Sequence, residues 1–392
     1  MATKSDKNRS VSTVANATDL KNRLSSAALA FRGYNVTNLG RSAELLAHRA
    51  YGQIVKQKLD EASEICSEAF GKKVDLVTRV RRGRETTLRS YSEAVSLVMA
   101  MEIAQIRLLK EFFNISHTQC KFALGYSLGE ITAVVCSGIF SFHDALKIPL
   151  AVAKDCAQLA KNVTMGILFS RGSALDLDQV QRLCLRITSE GKGVIGVSTY
   201  LSPNSLLLLG QHKTIDRFRK AMKDVFPDKT YLRKNENHWP PLHTPIVWEK
   251  NVPSRCGVML HTVGGGFEEP RPPILSMVTG KQSYNDFNSR DILRRWVDHP
   301  QRLWDVIYET LSTGIETIIH VGPEPNLIPS TYRRLSENVQ DQVSGSIGLR
   351  AMAGMARRPW LAALLPSSAA LLRAPIIEQV ILEDWLLAQN VP

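Results

Sequence analysis

The chain has 392 residues, 44% hydrophobic and 22% charged, which is enough for one large domain with an insert or for two domains. Its net charge of +12 is spread along the chain in short clusters such as "RVRRGR" (79–84), with no aromatic-interleaved basic patch; this excludes specific nucleic-acid binding as a first reading and favours an acidic partner or a phosphate-bearing ligand. No apolar run spans a bilayer, the polar N-terminus has no signal-peptide core, and six scattered cysteines offer neither a disulfide framework nor zinc-site spacing, so a cytoplasmic protein without membrane association or a bound metal is expected.

Residues 1–25 are rich in Ser, Thr, Asn and Lys and predict a disordered basic N-terminus. "AALAFRGYN" (27–35) is a short apolar element interrupted by Gly33. Apolar residues at helical spacing predict helices over 41–69 and 90–113. "CKFALGYS" (120–127) reads as a strand ending at Gly125, followed by a helix, a break near Gly138 and a second helix containing Pro149. Between 164 and 235 the pattern becomes strand, helix, strand, strand, helix, strand, which matches a split-βαβ sandwich inserted into the chain. A Pro- and Arg-rich loop (251–273), a strand (274–280), a helix over roughly 289–313 and the strand "ETIIHVGP" (316–323) complete a mainly parallel α/β sheet. The core is therefore expected over 26–163 and 236–340, the ferredoxin-like insert over 164–235, and a helical extension over 341–392.

The stretch "GYSLGE" (125–130) places Ser127 between two glycines, after a strand and before a helix. Chemistry at a serine needs an exposed hydroxyl, a base and donors for an oxyanion. A G-x-S-x-G turn projects the hydroxyl outward, and the N–H of Leu128 at the helix start points toward a developing oxyanion. The structural alternative is a small-residue bend between strand and helix. The base must be one of nine histidines, because only imidazole is poised near neutral pH. His243, in the Pro-rich loop "PPLHTPIV", is the leading candidate, and a surface loop histidine is the alternative reading. His320, in "TIIHVGP", is the runner-up.

"GYSLGEITAVVCSGIFSFHDALKI" resembles the G-H-S-L-G-E segment of the malonyl-CoA:acyl-carrier-protein acyltransferase family and of the acyltransferase domains of fatty acid and polyketide synthases. Other pieces follow in the family's order: "MGILFS" to "STYLSPNSLLLLGQ" resembles its ferredoxin-like insert, "PLHTPIV" its F-H-S-P motif, and "GIETIIHVGPEPNLI" its closing turn. The resemblance covers about residues 27 to 335. It implies a hydrolase-like α/β core, Ser127 as nucleophile and His243 as general base in a Ser-His dyad. It also implies a backbone carbonyl from the turn at Pro325 and Asn326 orienting the imidazole, and an oxyanion hole from the N–H groups of Leu128 and Tyr34.

Three positions depart from the family pattern. Tyr126 stands where the family has His beside the nucleophile, which bears on the acyl pocket. Phe31-Arg32-Gly33-Tyr34-Asn35 replaces F-P-G-Q-G-S-Q. Val152 occupies the position of the arginine that pairs with a malonyl carboxylate; Lys154 is two residues on, and a lysine lacks the planar fork. The resemblance implies acyl-CoA as substrate, with no bound cofactor, and the phosphopantetheine of an acidic acyl carrier protein as acceptor. It leaves malonyl as the default acyl group and Val152 as the reason to expect an uncharged one. An α/β-hydrolase esterase would also use G-x-S-x-G, but its glycine-rich oxyanion loop precedes the nucleophile, whereas "GGGF" (264–267) follows it. A thioesterase on the same scaffold, or a non-catalytic synthase relative, are the remaining alternatives.

Overall fold

The computed structural model describes residues 14–226, 229–356 and 367–391. Two sheets organise the chain. The larger is entirely parallel, in the order β7-β2-β1-β8-β9, from β1 (Ala27–Phe31), β2 (Phe122–Gly125), β7 (Ile274–Leu275), β8 (Thr317–Val321) and β9 (Glu378–Ile381). Every residue of β1, β2 and β8 is buried, Thr317 and His320 of β8 included, because the sheet is covered on both faces. Leu29 and Phe31 face the core made with the helices Gly52–Phe70, Tyr91–Phe113 and Phe142–Ala160. Ala28 and Ala30 face the opposite core, with Leu303, Ile307, Ile328 and Tyr332. The register aligns Phe31 with Gly125 and with Val321, so the loops leaving β1, β2 and β8 emerge side by side at the carboxyl edge of the sheet.

The smaller sheet is antiparallel, in the order β4-β5-β3-β6, from β3 (Val163–Ser170), β4 (Ile195–Ser202), β5 (Ser205–Gln211) and β6 (Thr230–His238). Helices Leu177–Ser189 and Thr214–Ala221 pack on one face through Leu206 and Leu208. The alternation of strand side chains sends Leu207 and Leu209, with Met165, to the other face, toward the large sheet. This is the ferredoxin-like arrangement, and its strands run from Val163 to His238.

Several expectations change: the helix read over 41–69 is two, Ser42–Ala47 and Gly52–Phe70, and the strand read over 274–280 is Ile274–Leu275 alone. Residues 1–13 lie outside the described residues, but the N-terminal stretch is ordered before residue 25. Ala17–Arg23 is a helix whose Asn16 cap accepts the Asp19 N–H at 3.0 Å, and Leu20 and Leu24 are buried in the main core. The C-terminal extension is not only helical. Glu378–Ile381 pairs in parallel with β8, satisfying an edge that would otherwise be open, and Trp385 and Leu386 pack into the core behind it. Part of this extension, 357–366, lies outside the described residues. The loop 251–273 contains a helix, Val252–Leu260. The single helix over 289–313 is two, Ser289–Trp296 and Leu303–Ser312, because Pro300 disfavours helical backbone at His299. That break contributes most of what the sequence reading missed at the site.

Candidate active site

Ser127 sits on the turn between β2 and the helix Leu128–Cys136, with φ +53° and ψ −113°, a backbone a non-glycine residue rarely adopts. The turn is tight because the neighbouring chain comes very close. A Cβ on Gly125 would lie 2.1 Å from the Gly129 carbonyl, and one on Gly129 would lie 2.3 Å from the Phe31 carbonyl. Both flanking glycines are therefore fixed by contact with backbone.

The Ser127 hydroxyl donates to Nε2 of His243 at 2.7 Å. Nδ1 of His243 lies 2.7 Å from the Trp296 carbonyl, which can only accept, so Nδ1 carries the proton and Nε2 presents its lone pair to the serine. His243 is itself held in the left-handed region (φ +66°) by its N–H bond to the Val297 carbonyl at 2.8 Å. Burial pushes its pKa down to about 4, against the raising effect of the Trp296 bond. The imidazole is therefore neutral at neutral pH and ready to accept a proton. The expected signature is kinetic: acylation of Ser127 should run at pH 5.5 as fast as at pH 7, because the base form persists down to about pH 4. A limb near pH 6.5 in a rate profile would contradict it. The unfolded chain takes up this proton near pH 6.5 and the folded one does not, so fold stability from this group falls as pH drops from 6.5 to 4.

The orienting carbonyl comes from Trp296, not from the turn at Pro325 and Asn326. That turn is engaged elsewhere. The Pro325 carbonyl accepts from Asn35 Nδ2 at 3.3 Å, and the Asn326 side chain caps the helix Leu327–Ser344. The correction has a topological reason: His243 lies beside the residues ending the helix Ser289–Trp296, whereas the turn after β8 faces the loop after β1. Trp296, fully buried, also donates its indole N–H to the Ser127 carbonyl at 2.8 Å and sets its ring edge-on to His243.

Gln301, fully buried, is a second residue the sequence reading missed. Its Oε1 accepts the Ser127 N–H at 2.9 Å, and its Nε2 packs 3.2 Å from His243 Nδ1, where two donors meet without bonding. Its backbone joins β4 of the insert, accepting from Tyr200 N–H and donating to the Ser198 carbonyl. Tyr126 reaches the same strand through a 2.8 Å bond between its hydroxyl and that of Thr199. The insert is thus stitched to the serine turn at two points. The only sequence signal for Gln301 was the preceding Pro300.

Gly33 brings the loop after β1 against the serine turn; a Cβ there would meet the Tyr126 carbonyl at 2.7 Å and Ser127 Cβ at 3.3 Å. Among the described residues, the N–H groups of Tyr34 and Leu128 donate to no protein acceptor. Arg32, fully buried, fastens this loop: its guanidinium donates to the Gly33 carbonyl at 2.9 Å, to Asn38 at 2.9 Å and to the Pro323 carbonyl. Its backbone N–H is held by Glu102 at 2.8 Å.

Beside Ser127 and His243 lies a cavity of about 70 Å³, walled by Tyr34, Tyr91, Tyr126, Met165, Leu207 and Trp239. No lysine, arginine or carboxylate lines it. Tyr126 takes its expected place there, but Val152 and Lys154 do not. Val152 is buried in the main core, and Lys154 lies on a different cleft. Residues two apart on a helix point to opposite sides, so the pair could never have shared one wall. His320 is buried on β8 against Gln379 of β9 and takes no part.

No protein-family profile matches the chain. Its sequence is 22% identical over 288 residues, 73% of the chain and 66% of the relative, to the malonyl CoA-acyl carrier protein transacylase of Bacillus subtilis. Its fold is similar to the crystal structure of FabD from Acinetobacter baumannii (TM-score 0.62, 21% identity, 79% of this chain and 91% of that one). It is also similar to a malonyl-transacylase in complex with a type II polyketide synthase acyl-carrier protein (TM-score 0.58, 21% identity, 78% and 92%). The α/β core with its ferredoxin-like insert is thus the acyltransferase fold. In sequence the chain is similar, at 22–23% identity, to malonyl CoA-acyl carrier protein transacylases and to part of a polyketide synthase. Among the described residues no helix is long and apolar enough to cross a membrane.

Proposed function

We propose that the protein is an S-acyltransferase that moves an acyl group from coenzyme A to the phosphopantetheine thiol of an acyl carrier protein, through an acyl-Ser127 intermediate. The observation that carries this is the 2.7 Å bond from the Ser127 hydroxyl to a buried, neutral His243 whose other nitrogen is pinned by a carbonyl. Ser127 Oγ attacks the thioester carbon while His243 Nε2 takes its proton. The carbonyl oxygen, now negative, accepts from the N–H groups of Leu128 and Tyr34. Collapse breaks the carbon–sulfur bond, and His243 returns the proton to the departing coenzyme A thiolate. In the second half the carrier's thiol gives its proton to His243 and attacks the acyl-serine; the same oxyanion site holds the intermediate, the carbon–Oγ bond breaks, and His243 returns the proton to Ser127 Oγ. Acyl carrier proteins are generally acidic, and the +12 chain would attract one by long-range steering.

The cavity beside Ser127 favours a small uncharged acyl group. A malonyl carboxylate buried there would have no cation, at a cost of several kcal/mol. Acetyl-CoA is therefore expected to acylate Ser127 with a kcat/KM at least about tenfold above that of malonyl-CoA. The check is a competition between the two donors, read by mass, with holo-carrier protein then added to collect the group. Preference for malonyl-CoA would refute the assignment of acyl group, and loss of the acyl group to water in place of the carrier thiol would refute the transferase.

A further inference from the structure

The loop that carries Tyr34 holds a buried charge that takes no part in proton transfer. The guanidinium of Arg32, fully buried, donates from Nε to the Gly33 carbonyl at 2.9 Å and from Nη1 to the Pro323 carbonyl. Its Nη2 donates to the Thr37 carbonyl at 3.2 Å and to Asn38 Oδ1 at 2.9 Å. The stem fills a niche that the turn after β8 leaves for it. Gly322 has φ +105°, and a Cβ there would lie 2.8 Å from Arg32 Cγ. The helix Tyr91–Phe113 pins the backbone on both sides of the stem, accepting the Arg32 N–H at Glu102 and the Gly322 N–H at Gln105. Burial draws the Arg32 pKa down, but an arginine starts so high that it stays charged at neutral pH. A buried guanidinium is costly, and the F-P-G-Q pattern that this loop replaces has proline here, which offers no side-chain donor.

The Nε bond bears directly on the oxyanion. The Gly33 carbonyl and the Tyr34 N–H belong to one peptide unit. A trans peptide holds the two on opposite sides of a rigid plane, so fixing the carbonyl fixes the N–H. Glycine leaves the peptide after it a wide choice of orientation, and a Cβ at 33 has no room against the Tyr126 carbonyl. The loop therefore cannot be stiffened by exchanging the glycine, and Arg32 Nε supplies the restraint from outside. A positive charge at the carbonyl end also polarises the peptide and strengthens its N–H as a donor. Among the described residues that N–H meets no protein acceptor, and Tyr34 lines the cavity beside Ser127.

We propose that Arg32 is a positioning residue for acyl transfer: its Nε–H bond to the Gly33 carbonyl aims and polarises the Tyr34 N–H toward the thioester oxygen that becomes negative when Ser127 attacks. Arg32 itself touches no substrate atom. The inference rests on the proposed acyl-serine chemistry and gives the buried arginine a task beyond fastening the loop.

The substitution R32K separates the two tasks. Lysine keeps a cation within reach of Pro323 and Asn38 but puts a methylene where Nε stands. Acetylation of Ser127 is followed by mass over a range of acetyl-CoA concentrations. Isotope-edited infrared spectroscopy then reads the carbonyl of acetyl-Ser127 made with a ¹³C-labelled donor. In the unsubstituted protein this carbonyl should absorb below its frequency in the unfolded acetyl-protein, because the oxyanion donors already polarise it. R32K should acetylate at least about tenfold more slowly at saturating donor, with the half-saturating concentration unchanged and the carbonyl band moved toward the unfolded frequency. R32Q, which also removes the charge, should lose about 10²-fold. R32K acetylating at the parent rate, or slowing with its carbonyl band unmoved, would overturn the proposal. So would an unsubstituted protein whose carbonyl absorbs at the unfolded frequency, an arm that needs no variant to fold. An unsubstituted protein that is acetylated by neither acetyl-CoA nor p-nitrophenyl acetate would instead refute the acyl-serine chemistry, and this inference with it.

Discussion

Replacing His243 by alanine is expected to slow acylation of Ser127 by about 10³-fold or more while the protein stays folded. The serine hydroxyl has no other base within reach: its hydrogen-bond partner is Nε2 of His243 at 2.7 Å. The remaining polar neighbour, Gln301, offers an amide that cannot take a proton and is occupied with the Ser127 N–H. What survives is the geometry of the turn and the free N–H groups of Leu128 and Tyr34, which is why the loss is not total. The measurement is a stopped-time mass assay of acyl-protein with an excess of acyl-CoA, with circular dichroism to show that the variant is native. A loss under tenfold would mean that the proton leaves Ser127 by another route.

The second large effect is on stability. Trp296→Ala is expected to cost about 3–5 kcal/mol, read from denaturant unfolding. The indole is fully buried, and its loss removes one of the two bonds to the Ser127 carbonyl, which keeps only the Glu130 N–H at 3.0 Å beside a strained turn. The ring also sets the edge against which His243 rests. Acylation should fall as well, because the Trp296 carbonyl that fixes the imidazole rides on the same residue. A Trp296→Phe variant keeps most of the packing and loses the indole bond. It should recover most of the stability and less of the rate. A variant as stable as the parent would show that the break after Ser289–Trp296 is held by something else.

How much of this was legible in the chain differs from element to element. Ser127 was readable because the turn requires small flanking residues for steric reasons, and such requirements leave a sequence trace: Gly125 and Gly129 each pack against backbone. His243 was readable as a choice among nine because side chains in a Pro-rich loop line clefts rather than pack in cores, and because "PLHTPIV" resembles a histidine-bearing family motif. Trp296 and Gln301 were hidden for the opposite reason. A backbone carbonyl orients the imidazole, and any residue type carries one. A helical apolar pattern on both sides of Pro300 concealed the break. The strand Glu378–Ile381 was missed because four residues within "PIIEQVILEDWLLAQ" carry too little alternation to compete with a helical period. Its partner, the open edge of β8, is visible only in three dimensions. Val152 and Lys154 show a different failure. A position carried over by resemblance gave the right helix, but the side-chain direction decided that one residue faces the core and the other a separate cleft.

The departures from the family pattern become coherent in the structure. Tyr126 bonds Thr199 of the insert, so the residue beside Ser127 helps dock the two sheets. Arg32 ties the loop carrying Tyr34 to the turn after β8 through the Pro323 carbonyl, and Glu383 of the C-terminal segment accepts the Glu324 N–H of that turn at 3.0 Å. The segment outside the resemblance thus braces one side of the site, and the insert braces the other.

The central claim is that Ser127 becomes covalently acylated by a thioester. The direct measurement is intact-protein mass spectrometry of the purified protein and of Ser127→Ala after mixing each with acetyl-, malonyl- and longer acyl-CoAs separately. The expected result is a mass gain of one acyl group, largest with a small uncharged donor, absent in Ser127→Ala and discharged by holo-carrier protein. A folded protein that gains no mass from any donor, or that gains it equally in Ser127→Ala, would contradict it.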